Sequence, residues 1–170
     1  MSKKHIIVEP YNSGWKNEFE KIKTELDTVL GELALSIEHV GSTSVHGLSA
    51  KPIIDIDVVI NDRSELEKVI SALETIGYYY QGNKGINDRE AFGYNGKEHL
   101  MKHHLYVCPK DSAELKRHLK FRDHLSSHPE AVKEYSRIKA EGAELYPDDI
   151  DRYIEHKSPF IEDIYRKLGL

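Results

Sequence analysis

Cysteine is almost missing from this chain: Cys108 is the single one. No intrachain disulfide can form, and a reduced, cytoplasmic setting is expected. Long apolar runs are missing too. The opening MSKKHIIVEPY carries two lysines with no apolar stretch behind them, so neither a signal peptide nor a membrane span is expected. Nor is there an excess of positive charge. The 24 Lys and Arg are outnumbered by 29 Asp and Glu, for a net charge of −5. General nucleic-acid binding is therefore not expected, whereas a small nucleotide can have its charge met locally. No serine stands in a nucleophile-elbow or Ser-His-Asp context, which removes support for hydrolases of that type. Internal repeats, low-complexity stretches and linkers are also lacking.

What is present describes an ordinary globular chain. It has 170 residues, 39% hydrophobic and 31% charged. That length fits one domain over residues 1–170 with a sizeable core. Residues 5–8 read as a short strand. Trp15, Phe19, Ile22, Leu26 and Val29 recur at helical spacing, with Asn12 or Ser13 as cap and Gly31 as stop. Strands are expected at 35–40, 53–60, 78–81, 90–94 and 103–107, the last two joined through a turn at Asn95-Gly96. Leu66, Val69, Ile70, Leu73 and Ile76 form the stripe of a second helix, capped by Asp62 or Ser64 and ended by Gly77. From Ala113 the chain is helical. Pro129 opens a new helix, Tyr146-Pro147-Asp148 breaks it, and Ser158-Pro159 kinks or restarts the last one. The expected class is α+β: a mixed sheet flanked by helices over 1–110, then a helical segment over 111–170.

The run Glu38–Ile60, EHVGSTSVHGLSAKPIIDIDVVI, carries the chemistry. Strand side chains alternate, so Asp55 and Asp57 share one face while Ile54, Ile56 and Val58 share the other. Aspartate is a poor strand former, and two acids side by side are costly unless a cation lies between them. The bland alternative is an edge strand with two solvated acids. Upstream, Gly41, Ser42, Thr43 and Ser44 offer backbone N–H groups and hydroxyls to a phosphate. The segment is not a Walker A loop, since Pro52 follows Lys51 and the glycine spacing is wrong. Lys51, just beyond the loop, is a candidate for neutralising phosphate charge.

The segment HVGSTSVHGLSAKPIIDIDVVI resembles the GrpB family, whose usual form is close to HVGSTSVPGLxAKPIIDIxV. The resemblance continues through His103-His104-Leu105, Phe121-Arg122-Asp123, His128-Pro129-Glu130 and Tyr153 to Ile161, nearly the whole chain. The family is placed in the nucleotidyltransferase superfamily, and some relatives are fused to dephospho-CoA kinase. The resemblance implies that Asp55 and Asp57 ligate a divalent metal and act catalytically. It also implies that the Gly41-Ser42 turn holds the phosphates of a nucleoside triphosphate.

That superfamily adds a third acid from a neighbouring strand, and this chain has none there. With Leu105 and Val107 facing the core, His104 and Tyr106 face the site. Tyr106 and His46 both depart from the family pattern. His104 is then the third ligand candidate. A nitrogen donor in place of a carboxylate suits Mn²⁺ or Zn²⁺ better than Mg²⁺. His103 faces the other way and is assigned a structural role. His99 with His103, and His124 with His128, have a zinc-clip spacing but read more simply as solvated residues. Arg89, Lys102, Arg122, Lys139 and Lys157 are weaker phosphate candidates, and Tyr78–Tyr80 a possible stacking surface.

The expected function is metal-dependent transfer of a nucleoside monophosphate from an NTP to a small-molecule acceptor, with Mg²⁺ or Mn²⁺, or else Zn²⁺. Two alternatives stand beside it: a non-catalytic nucleotide- or metabolite-binding module, and a metal-dependent phosphohydrolase. Replacing Asp55 or Asp57 by Asn is expected to abolish metal binding and leave the fold intact or slightly stabilised.

Overall fold

The architecture is that of a computed structural model, which describes residues 5–170. In chain order the elements begin with helix α1 (Gly14–Leu30) and strands β1 (Ser36–Val40) and β2 (Ile54–Ile60). Helix α2 (Leu66–Glu74) and strands β3 (Tyr78–Tyr80), β4 (Glu90–Tyr94) and β5 (His103–Pro109) follow. Helices α3 (Ala113–Ser126), α4 (Pro129–Leu145) and α5 (Ile150–Lys167) complete the chain.

The five strands form one mixed sheet in the order β1-β2-β5-β4-β3. Only β2 and β5 run parallel; the other pairs are antiparallel. The aspartate strand β2 therefore lies inside the sheet, between β1 and β5, and the edge-strand alternative fails. Its two faces differ sharply. Ile54, Ile56 and Val58 are fully buried with Trp15, Phe19, Ile22 and Leu26 of α1 and Val69 and Leu73 of α2. Complete burial of each such aliphatic side chain contributes about 1.5–3 kcal/mol. The opposite face carries Asp55 and Asp57.

The helix ends follow local chemistry. The Asn12 side chain accepts a hydrogen bond from the Gly14 N–H (2.8 Å) at the start of α1. Gly31 ends the helix at φ +48°. Asp62 accepts from the Ser64 N–H (2.8 Å), opening a short 3-10 turn before α2. Ser112 and Asp149 cap α3 and α5 in the same way. Pro159 sits within α5 without ending it.

Two expectations need correction. Residues 5–8 form no strand: the Ile6 N–H is bonded to the Pro147 carbonyl (2.7 Å), and among the described residues the sheet-like contact nearby is a Glu9–Ala50 bridge. The β4–β5 connection is also longer than a tight turn, spanning residues 95–102. It folds back on α1, where Lys97 Nζ and His99 Nε2 reach the two oxygens of Glu25 at 2.8 and 2.7 Å. These contacts hold the connection away from a two-residue hairpin.

A second apolar cluster ties the loop between β1 and β2 to the C-terminal helices. Val45 and Leu48 are buried with Leu125 of α3, Val132 and Tyr135 of α4, and Ile164 of α5. The helical segment thus packs onto the sheet face that carries the aspartates.

Candidate functional site

The site is built where the β1–β2 loop crosses the C-terminal helices. Gly41 starts the loop at φ +72°, in the left-handed region that favours glycine. A Cβ there would collide with the Asp55 carboxylate. Glycine therefore lets the backbone ride directly over the first aspartate. Residues Ser42–Ser44 then make one 3-10 turn. Thr43 is buried, with its hydroxyl 2.9 Å from His39 Nε2 and 3.3 Å from the Ile53 carbonyl. Ser44 turns its hydroxyl to the Gly41 carbonyl at 2.5 Å, so its role is to fix the turn. Ser42 is the loop hydroxyl that faces the helices. His39 is stacked on Phe19, and burial pushes its pKa down to about 4.

A cavity of about 170 Å³ opens beside this loop, lined by Ser42, Thr43, Lys51, Ile53, Asp55, His104, Lys139, Tyr153 and Lys157. Lys139 of α4 is only 3% exposed. Its ammonium donates to Ser42 Oγ and to the Ser49 carbonyl (3.3 Å), and it lies over the Tyr135 ring at 4.3 Å. The Lys51 and Lys157 ammonium groups both approach the Tyr153 ring, at 5.2 and 5.1 Å. Each of these three lysines has a lowered pKa. Burial is the main cause in every case, and neighbouring lysines add to it. Lys51 and Lys157 both oppose the Lys139 charge, which Asp55 supports only in part, and that imbalance favours an anion in the cavity. None of the three makes an ion pair with a carboxylate among the described residues.

The carboxylate side has a different character. Asp55, 31% exposed, accepts from His104 Nδ1 at 3.0 Å. Register places His104 beside Asp55 and Tyr106 beside Asp57 on the parallel partner β5. Asp57 is fully buried. One of its oxygens, Oδ2, is 2.5 Å from His118 Nδ1 of α3. His118 Nε2 is 3.2 Å from Glu114 Oε1, one helical turn back. Both imidazole nitrogens face carboxylates, which only a doubly protonated ring satisfies. Burial opposes that charge, but the hydrogen bond His118 donates to Asp57 and the charges of Asp57 and Glu114 outweigh it, and the His118 pKa is raised. The other oxygen of Asp57, Oδ1, is buried with no hydrogen-bond partner.

That orphaned oxygen is the feature that fits a cation. Among the described residues, however, no group of three or more His, Cys, Asp or Glu side chains is arranged to hold a metal ion. The two observations agree for a hard divalent ion that takes one or two carboxylates and completes its shell with phosphate and water. The donors available are Asp55 and Asp57, with His104 adjacent.

The sequence candidates thus divide. Ser42, Thr43, Lys51, Asp55, His104, Lys139 and Lys157 line one cavity. Asp57 lies deeper, beneath His118. Arg122 is turned elsewhere, to Glu38 (3.0 Å) and the His39 carbonyl (3.1 Å). Arg89 stacks on Tyr106 at 4.3 Å. His103 is buried on the far face between the Met101 carbonyl (2.8 Å) and the Tyr78 hydroxyl (2.7 Å), a structural position. His124 and His128 stack on each other. His118 and Glu114 were not anticipated. Their only trace in the sequence is an acid and a histidine four apart on a helix.

The family model described as GrpB protein matches residues 5–167. The chain belongs to the GrpB family. It is 34% identical over 171 residues to the glutamate-rich protein GrpB of Alkalihalophilus pseudofirmus, covering 99% of this chain and 98% of that one. The crystal structure of the conserved protein GrpB from Enterococcus faecalis superimposes with a TM-score of 0.83 at 34% identity, covering 95% of this chain and 96% of that one. A more distant likeness is to the Cid1 poly(U) polymerase with MgGTP bound, with a TM-score of 0.51 and 12% identity. It covers 78% of this chain and 42% of that one. This last similarity is one of fold: the GrpB chain has a nucleotidyltransferase-like mixed sheet. Among the described residues no helix is long and apolar enough to cross a membrane.

Proposed function

We propose that this GrpB-family chain binds the phosphates of a nucleoside triphosphate between the Gly41–Ser44 turn and the lysines of the helical segment. We further propose that it transfers the nucleoside monophosphate to a small acceptor. The observation that carries the reading is the convergence of Lys51, Lys139 and Lys157 on one cavity that also contains Ser42 and Asp55. An anion there relieves the repulsion among the lysines. Lys139 holds Ser42 in place, and Tyr153 spaces Lys51 from Lys157.

Asp55 and Asp57, with His104 beside them, are the groups that would hold a divalent ion, Mg²⁺ or Mn²⁺ in the first instance. Such an ion would neutralise phosphate charge and stabilise the attacking and leaving oxygens. In the transfer the acceptor hydroxyl oxygen bonds to the α-phosphorus. The bond from that phosphorus to the pyrophosphate oxygen breaks, and the hydroxyl proton leaves towards the Asp55–His104 pair. His118 keeps the buried Asp57 oriented by occupying one of its oxygens and leaving the other free.

A second reading is favoured by His104 and Tyr106 standing where the superfamily carries its third acid: a module that binds the nucleotide without turnover. Incubation with each NTP and Mg²⁺, Mn²⁺ or Zn²⁺ separates the readings. Pyrophosphate release that requires a labelled acceptor supports transfer. Release with water alone assigns a phosphohydrolase, and binding without turnover assigns the module. Absence of nucleotide binding under all three metals sinks the whole proposal.

A further inference from the structure

A second, larger cavity adjoins the anion cavity and has no part in the chemistry above. Its volume is about 750 Å³, within the size range of small-molecule sites. Its apolar walls are Ile6, Ile7, Pro52, Ile53 and Ile150. Lys51 and Ile53 line both cavities, so the two are neighbouring compartments of one cleft. The polar groups of the larger one are not balanced. Asp148 is engaged by His5 at 3.0 Å. Lys51 and Lys102, also in the lining, make no ion pair with a carboxylate among the described residues. The Lys102 charge helps to lower the Lys51 pKa, after burial. An aliphatic wall matches a hydrocarbon body better than a stacked base, which favours aromatic partners. Ile7 and Ile150 are 55% and 46% exposed, large apolar side chains left facing the cavity mouth.

We propose that this cavity binds an amphipathic anion: a hydrocarbon chain carrying one carboxylate, its body on the isoleucines and its charge at Lys51 and Lys102. The deeper claim rests on the transferase reading. On that reading the acceptor is such a compound bearing a hydroxyl, and the bonds made and broken are those given above.

Calorimetric titration with octanoate, decanoate and dodecanoate tests the site directly. Affinity is expected to rise about fourfold per added methylene. In Ile150→Asp and in Lys102→Glu it is expected to fall at least tenfold. Both positions are solvent-accessible at the cavity rim, so neither variant threatens the core. Binding of inorganic tripolyphosphate with Mg²⁺ is expected to be unchanged in Ile150→Asp, whereas Lys51→Gln weakens both ligands. Affinity that ignores chain length, or is equal in wild type and variants, overturns the proposal. So does carboxylate binding that appears only after residues 1–4 are removed, because the cleft then belongs to the chain's own N-terminus. Alkyl carboxylate binding without tripolyphosphate binding leaves the cavity assigned and sinks the transferase reading instead.

Discussion

The two faces of β2 serve opposite purposes. On one face Ile54, Ile56 and Val58 are sealed between the sheet and α1 and α2. On the other, Asp55 and Asp57 meet histidines, and the nearby lysines meet aromatic rings and neutral oxygens. The apolar face is satisfied as it stands. The polar face is half satisfied: the carboxylates have histidine partners, but among the described residues the three lysines make no ion pair, and only the nearby Asp55 favours the charge of Lys139 and Lys157. Stability is concentrated on the first face, and the proposed ligand site lies on the second. Asp57 is the exception, because it is buried as deeply as the isoleucines.

That exception gives the largest expected effect. Like-charge repulsion alone predicts that Asp57→Asn leaves the fold intact or stabilised. The His118 contact reverses this expectation. Removing one partner of a buried ion pair costs about 3 kcal/mol, at the low end because His118 can shed its proton. Asp55→Asn, at a partly exposed position, is expected to change stability by about 1 kcal/mol or less. Urea denaturation of the two variants checks the difference. Equal midpoints would mean that Asp57 behaves as a surface acid and that the His118 contact contributes nothing.

Next in size is Lys139→Met. It removes a buried cation that two other lysines repel. Affinity for tripolyphosphate with Mg²⁺ is expected to fall at least tenfold, while the midpoint holds or rises, since a buried charge is replaced by an apolar chain of similar length. Lost stability with unchanged affinity would assign Lys139 to the fold and not to the ligand. The complementary change, Ile56→Val, is expected to cost about 1 kcal/mol of stability and leave tripolyphosphate affinity alone. A matching loss of affinity there would break the division between the two faces.

Much of this division was legible in the sequence, for a physical reason. Alternation along 53–60 assigns each residue of β2 to a face without knowledge of any partner. The apolar spacing of 15–29 does the same for α1. The Gly41–Ser44 turn and Lys51 are close in sequence to Asp55, so proximity alone marks them. His118, and the approach of Lys139 and Lys157, are different. They reach the site from helices that local pattern can identify but cannot orient. Their positions depend on Val45 and Leu48 packing against α3, α4 and α5. The family resemblance marked segments of α4 and α5, yet nothing local distinguished Lys139 from Arg122, which faces Glu38 instead.

The smallest expected effect is one of pH, and it isolates the carboxylate side in metal-free protein. His118 has a pKa raised above its ordinary 6.5. Between that value and the raised one the folded chain keeps a proton that the unfolded chain releases. The stabilisation from His118 is therefore complete below 6.5 and is lost as the pH climbs through the raised pKa. His39 works in the other direction. Its folded pKa of about 4 means that acid favours the unfolded chain, so its stabilisation fades as the pH falls from 6.5 towards 4. Thermal midpoints of wild type and His118→Gln, taken in chelator from about pH 5 to about pH 9, separate the two. The gap between the curves is expected to narrow as the pH rises past the ordinary histidine value. Both curves are expected to fall together on the acid side, where His39 is common to them. A gap that stays constant across the range would show that His118 is neutral against Asp57, and the ionic description of the carboxylate half would have to be abandoned.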